Sequence, residues 1–539
     1  MLNSKLLIKF AFCNAKRVIM AETRRYPLGI QTFTEIREGD YVYIDKTEYV
    51  YRIASTYKYV FLSRPRRFGK SLLASTFQCY FEGRRELFEG LAAAKMEKDW
   101  TRHPVLHFDM SKMVECTRER FLIMISEQLS QYEEIYGKNT DSKYPGDRLD
   151  SLIRNSFKQT GEKAVVIIDE YDAPVLNVAH DAERLKEMRN VVADFYAPLK
   201  SCDPYLRFVF ITGITKFAQL SIFSQLNNLS NITMVDEFSP ICGITEEELL
   251  TKLQPGIKSI AEKNGMTYDA ALAKLKHFYD GYHFSGESPD MYNPFSLMSA
   301  LNFRNFDFYW FSTGTPSFLI NQLRRFQPDL TQLAREDREL KSTSFDVSLE
   351  EMRSIEPLLY QSGYLTIKSY NPDGFYTLGF PNQEVRIGLL ESLIPYYLSG
   401  DTSESDTFVY RMYKAFRDDD VEGLMDLITS YFASITYDLE NKSERHFQTI
   451  LYIMFSLVSQ YGSVEAEVKS AVGRADIVIK TRTTIFVMEL KVDGSAEDAL
   501  AQINSRGYSI KYIADGRKIT KIGINFSSKT RTVEGWKAE

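Results

Sequence analysis

Up to about residue 236, the apolar residues of this chain fall into two alternating patterns. Near-continuous apolar runs sit at 59–62, 104–109, 164–170 and 206–213. Such runs predict parallel strands buried on both faces. Amphipathic stretches lie between them, for example 117–136 and 181–197, and predict helices. The alternation predicts an α/β domain over 21–240. Each run ends in polar or small residues, the place where ligands gather in parallel sheets.

From Thr245 the pattern turns helical. Thr245-Glu246-Glu247-Glu248 has the form of a capped helix start, and residues 268–279 follow as another helix. An aromatic-rich segment from Phe278 to Gly314 is expected to pack this helical subdomain, 241–340, against the sheet. Over 341–400 the order is a helix at 348–352, an apolar stretch at 355–361, then strands at 363–370 and 375–378. Asn371-Pro372-Asp373-Gly374 turns between those strands. Helix followed by hairpin suits a winged-helix-like module, which binds DNA or packs against its neighbours. The stretch from Leu398 to Asp406 marks a linker, helical segments fill 401–440, and 441–539 reads as a separate α/β unit. Residues 1–20 carry a short apolar patch broken by Lys9 and lack a clean cleavage site. They are expected to be a disordered or spurious extension, with Met20 as the alternative start.

Composition narrows the setting. At 539 residues the chain exceeds one hydrophobic core, so several domains are expected. Its net charge of −6 argues against a wholesale nucleic-acid coat. Cys13, Cys79, Cys116, Cys202 and Cys242 are scattered without a C-x-x-C pair, which disfavours a disulfide framework or a zinc site. A reducing cytoplasm is the expected home. No apolar run reaches the roughly 20 residues of a membrane span.

The run at 59–62 leads into Ser63-Arg64-Pro65-Arg66-Arg67-Phe68-Gly69-Lys70-Ser71-Leu72. Strand, tight loop, then a helix opening on Gly-Lys-Ser is the layout of a phosphate-binding loop. Backbone amides wrap the phosphates, the lysine reaches the terminal ones, and the serine hydroxyl holds magnesium. Arg64 stands where the pattern has its first glycine, and Gly-Lys-Ser also occurs by chance. The run at 164–170 supplies the partner, a hydrophobic strand ending in Asp169-Glu170. In nucleotide hydrolases the first carboxylate holds magnesium and the second polarises the attacking water. The plainer reading is a buried strand ending in an acidic helix cap. Asp172 is a third carboxylate of open role, and Thr212 or Thr215 is a candidate for the γ-phosphate. Arg66 and Arg67 either add charge beside Lys70 or, for Arg67, pair with a carboxylate.

These residues carry a resemblance. Residues 26–33, Tyr43-Ile44-Asp45-Lys46-Thr47 and Arg64–Ser71 are similar to the bacterial AAA-ATPase-like proteins. So are Asp169–Asp172, Tyr279-Asp280-Gly281-Tyr282, Tyr292-Asn293-Pro294 and Thr313–Pro316. The resemblance spans nearly the whole chain after residue 20. It implies a P-loop ATPase fold related to archaeal-type and signal-transducing ATPases, and commonly a C-terminal nuclease-like domain of the PD-(D/E)XK superfamily. Arg64 then belongs to the family's own form of the loop, and residues 64 and 66–72 are carried over as nucleotide-binding candidates.

The C-terminal unit holds a second constellation. Asp476 precedes one strand and Glu489-x-Lys491 ends the next, 13 residues later, a spacing that a hairpin accommodates. Side chains alternate along a strand, so Glu489 and Lys491 share a face. Two carboxylates there bind magnesium, and the lysine orients water or stabilises the transition state. The resemblance carries Asp476, Glu489 and Lys491 as catalytic, with Glu444 as the first-helix acid and Gln502 from the following helix. Ala475 stands where that motif has proline. An exposed Glu/Lys pair on a solvated strand is the plainer reading, and His446 is a neighbour of Glu444. Residues 441–539 hold 15 lysines and arginines against 11 aspartates and glutamates, a local balance of +4. Such a surface favours phosphate backbones.

The fold class expected is α/β: a P-loop ATPase sheet domain, a helical and winged-helix-like middle, and a C-terminal restriction-endonuclease-like domain. The function expected is ATP binding and hydrolysis coupled to a magnesium-dependent nucleic-acid phosphodiesterase. The alternative is an ATP-switched signalling or scaffold protein whose C-terminal domain binds nucleic acid without cutting. ATP and Mg2+ are the expected ligands and nucleic acid the expected partner, DNA ahead of RNA. Self-association into a homo-oligomer is left open, and no membrane is involved.

Overall fold

The computed structural model describes residues 25–112, 117–138, 141–179, 181–215, 228–311, 319, 322–323, 326, 339–344, 354–397, 402–434, 444–461, 465–471, 474–530 and 532–539. At 394–397, 402–406, 433–434, 444–449, 451, 460–461, 465–471 and 474–476 it describes the backbone alone. The expected N-terminal extension and the helix expected at 348–352 lie outside these residues. The chain divides into two units. One comprises residues up to 326 with 337–384, and the other chiefly 385–539.

The first unit is built on a parallel sheet. In chain order come α1 (Thr47–Thr56), β1 (Tyr59–Ser63), α2 (Lys70–Phe81), β2 (Val105–Asp109), α3 (Arg118–Tyr136), α4 (Pro145–Thr160), β3 (Ala164–Asp169), α5 (Ala182–Tyr196), β4 (Leu206–Gly213) and β5 (Ser230–Asn231). The strand order is β2-β3-β4-β1-β5, all parallel. β1 and β3 are buried at every position, which is why their sequences read as unbroken apolar runs. Because β4 lies between β1 and β3, the carboxyl ends of all three open on one crevice.

The helical part adds α6 (Glu246–Lys252), α7 (Gln254–Lys263), α8 (Tyr268–Tyr279) and α9 (Pro294–Phe303). Thr245 starts α6 through the reciprocal cap expected from its sequence. Its hydroxyl accepts the Glu248 N–H at 3.2 Å, and Glu248 accepts the Thr245 N–H at 2.9 Å. Glu248 also pairs with the Lys46 ammonium at 2.6 Å, so the Asp45-Lys46-Thr47 motif ties the chain ahead of β1 to this helix. Leu249, Leu253, Ile257, Ile260, Leu275 and Leu297 form the helical core. Beyond it, β6 (Glu339–Lys341), α10 (Glu356–Ser362), β7 (Thr366–Tyr370) and β8 (Phe375–Gly379) give an antiparallel sheet in the order β6-β8-β7. The Asn371–Gly374 turn closes its hairpin, the Asn371 N–H donating to the Phe375 carbonyl at 2.9 Å. The helix α11 (Gln383–Tyr397) follows.

The second unit holds α12 (Thr402–Arg417), α13 (Val421–Ser434), α14 (Glu444–Leu457), β9 (Glu465–Ala471), β10 (Arg474–Lys480), β11 (Thr484–Val492), α15 (Ala496–Ser505), β12 (Lys518–Ser527) and β13 (Thr532–Ala538). Its sheet runs β9-β10-β11-β12-β13, parallel only between β11 and β12, which α15 joins. Ile485, Val487, Leu500, Ile503 and Tyr512 pack α15 onto β11. No helix among the described residues is long and apolar enough to cross a membrane.

Candidate active sites

The first site forms where β1, β3 and β4 end. Gly69 takes φ +89° as the N-cap of α2, a conformation that favours glycine, and this turn starts the helix on Lys70 and Ser71. The Ser71 hydroxyl lies near enough to the Asp169 carboxyl to lower its pKa, which sets the loop beside the acidic strand end. Burial pushes the Asp169 pKa up to about 6. Ser71 and Lys70 draw it back down, while the Glu170 and Asp109 charges add to the rise. Glu170 holds φ +51°, uncommon for a side-chain-bearing residue, and its N–H donates to the Asp169 carboxylate at 3.0 Å. Lys70 is 4% exposed, and its ammonium donates to the carbonyls of Arg64 and Pro65 at 3.0 and 3.1 Å.

A cleft of about 390 Å³ opens over Arg66, Arg67, Gly69, Lys70, Ser71, Leu72 and Glu170. Residues 27–31 and Pro294, Phe295 and Met298 of α9 line its other side. Arg67, at φ +66°, stacks its guanidinium 4.9 Å from the Phe295 ring centre. Two other loop residues face elsewhere. The buried Arg64 guanidinium donates to the carbonyls of Ser63, Thr233, Phe238 and Ser239 and lies 4.3 Å from the Phe284 ring centre. Phe68 is buried edge-on against Tyr282 and Phe284. Both residues bind the loop to the chain that follows β5, and neither lines the cleft.

The third carboxylate and the two threonines separate cleanly. Asp172 is fully buried and accepts the Ile214 and Thr215 N–H groups and the Thr215 hydroxyl, the last at 2.8 Å. Thr215 is thus engaged in holding the end of β4. The Thr212 hydroxyl, one residue before the end of β4, is buried with no hydrogen-bond partner among the described residues. A hydroxyl beside an acidic carboxyl is a hard-oxygen pair that suits magnesium. Among the described residues no three or more His, Cys, Asp or Glu side chains gather as a metal cage. Magnesium, which keeps several waters and takes one or two carboxylates, does not require one.

The second site lies on β10 and β11. Thr481 closes the hairpin between them, its hydroxyl accepting the N–H groups of Thr483 and Thr484. The register sets Asp476 directly opposite Glu489, and Arg474 opposite Lys491. Glu489 is fully buried. The Gln502 amide links it to the lysine: its Nε2 donates to Glu489 Oε1, and its Oε1 accepts the Lys491 ammonium. Lys491 Nζ is 4.0 Å from Glu489 Oε1 and retains about a quarter of its exposure, 24%. Glu444 is the first residue of α14. Opposed acidic residues beside a lysine make a donor set that fits a magnesium ion and its phosphate.

The two sites fall within two family matches. Residues 27–223 match the family described as "Predicted AAA-ATPase", and residues 442–536 match the PD-(D/E)XK nuclease superfamily. The chain is also 34% identical over 531 residues to an Azotobacter chroococcum mcd 1 protein named "Uncharacterized protein in vnfD 5'region". That match covers 96% of this chain and 99% of the other. This chain belongs to the AAA-ATPase-like family and carries a PD-(D/E)XK nuclease superfamily domain.

One residue of the AAA-ATPase-like protein escaped the motif reading. Gly523 on β12 pairs in register with Glu489. A Cβ there would stand 2.2 Å from the Ala496 carbonyl oxygen and 2.7 Å from the Leu500 nitrogen. Glycine therefore lets α15 lie close enough to the sheet for Gln502 to reach Glu489. A lone glycine inside an apolar strand was the available signal.

Proposed function

We propose that this AAA-ATPase-like protein binds and hydrolyses ATP in the first unit and cuts nucleic-acid phosphodiester bonds in the second. The first half is carried by the cleft that Gly69, Lys70, Ser71 and Glu170 line together, because it brings the Gly-Lys-Ser helix start and the acidic strand end to one place. The Gln502 bridge between Glu489 and Lys491, with Asp476 opposite, supports the second.

Ser71 and Asp169 at one site, and Asp476 and Glu489 at the other, would hold magnesium, which would neutralise charge on phosphate and activate water. Lys70 moves from the Arg64 and Pro65 carbonyls to the terminal phosphates. Glu170 accepts a proton from the attacking water, and Thr212 donates to the γ-phosphate oxygen. In the second unit Lys491, oriented by Gln502, stabilises charge on the scissile phosphate. Glu444 supplies the first-helix acid. The +4 balance of residues 441–539 favours nucleic acid as the partner, and DNA is the first substrate to test.

The test is purified protein with ATP, magnesium and a panel of DNA and RNA, with phosphate release and strand cleavage measured together. Glu170→Gln is expected to bind ATP and lose phosphate release. Glu489→Gln and Lys491→Ala are expected to lose cleavage. Nucleic-acid binding without cleavage in the wild type would replace the nuclease reading with that of an ATP-switched scaffold.

A further inference from the structure

A chain of contacts runs from the phosphate loop to one buried carboxyl. The Trp310 indole N–H donates to the Arg66 carbonyl of the phosphate loop at 3.2 Å. The Trp310 backbone N–H donates to Glu384 Oε1 at 2.7 Å. Glu384 is 1% exposed and lies in the first turn of α11. Trp310 is thus hydrogen-bonded to the loop by its indole and to Glu384 by its backbone N–H. Glu384 therefore reaches the loop wall of the cleft through Trp310.

Trp310 is not free to follow one wall alone. Its ring packs edge-on against Tyr364, with centres 5.0 Å apart. Beside Tyr364, Gly363 lies so near Pro65 of the loop that a Cβ there would approach its side chain to 2.5 Å. A shift of the loop carbonyls must then move Trp310 or break its bond. Buried hydrogen-bonding groups are costly to leave unpaired, so the movement passes to Glu384. The turns of α11 from Val385 onward belong to the second unit.

We infer that Trp310 and Glu384 form a nucleotide-sensing relay, in which filling of the phosphate loop repositions the Trp310 bonds and alters the first turn of α11. The relay rests on the reading of the cleft as an ATP site. Both are positioning residues that touch no reacting atom.

The experiment uses the full chain with Trp100→Phe and Trp536→Phe, leaving Trp310 as the sole indole. Calorimetry measures magnesium-ATP binding, fluorescence follows Trp310, and hydrogen exchange follows the α11 amides. The expected result is a saturable change in emission with the calorimetric midpoint, and a matching change in α11 exchange. Glu384→Gln keeps an acceptor and is expected to retain the exchange response. Glu384→Ala is expected to lose it while ATP affinity stays within about threefold. Trp310→Phe keeps the ring and the backbone N–H but removes the indole donor. It is expected to lose the exchange response too, and it carries the test if the alanine variant does not fold. Binding with unchanged emission and exchange overturns the relay and leaves the ATP site standing. A response that survives Trp310→Phe overturns the relay as well. An absence of binding removes both.

Discussion

Glu384 shows how burial turns a side chain into a measurable liability. Burial pushes its pKa from 4.5 up to about 8, against the pull of the Trp310 and Tyr309 amides and Ser296. Between those values the unfolded chain ionises this group while the folded chain keeps the proton. Stability contributed here is therefore intact below about pH 4.5 and falls as pH rises toward 8, by on the order of 3–5 kcal/mol. Glu384→Gln does not titrate. The difference in Tm between variant and wild type should grow steadily from pH 5 to pH 8, and a flat difference would reject this account. Arg64 is the other case. Its sequence position suggested a phosphate contact, yet its guanidinium serves four backbone carbonyls, and burial lowers its pKa only to about 10, so it stays charged. Arg64→Ala should lower stability by about 3 kcal/mol in denaturant unfolding, because buried charge-assisted hydrogen bonds are lost and carbonyls are left without a donor. Arg64→Lys should rescue little of this, since an ammonium lacks the planar fork that spans these acceptors.

At the scale of elements, the second site depends on how closely α15 approaches β12. Gly523→Ala places a methyl group against helix backbone, which cannot rotate away. The expected cost is about 1–3 kcal/mol in the second unit. Strand cleavage should be lost because Gln502 is carried away from Glu489 and Lys491, while ATP binding in the first unit is unchanged. Retained cleavage would show that α15 need not hold its position. The strands, the α6 cap and the β7–β8 hairpin were readable locally, since each follows from periodicity or turn chemistry over a few residues. Gly523 was not, because its requirement comes from backbone far along the chain.

For the whole molecule, the two constellations sit in separate units, and their chemistries should separate by mutation. Lys70→Ala is expected to reduce ATP affinity about a hundredfold, with the Glu489–Gln502–Lys491 bonds undisturbed. Glu489→Gln should abolish cleavage and leave phosphate release intact. Circular dichroism on both variants checks that each remains folded, and loss of both activities in either variant would contradict separate sites.

The sequence by itself determined the elements and the chemistry they could carry. Apolar runs ending in carboxylates, Gly69-Lys70-Ser71, and the spacing of Asp476 from Glu489 are local properties that survive without coordinates. Only the tertiary structure decided which residues face the ligand side. It turned Arg64 and Phe68 inward, engaged Thr215 with Asp172 and left the Thr212 hydroxyl buried with no hydrogen-bond partner among the described residues. It also joined Trp310 to the loop across more than two hundred residues. A side chain's direction depends on partners distant in the chain, and no local pattern encodes them.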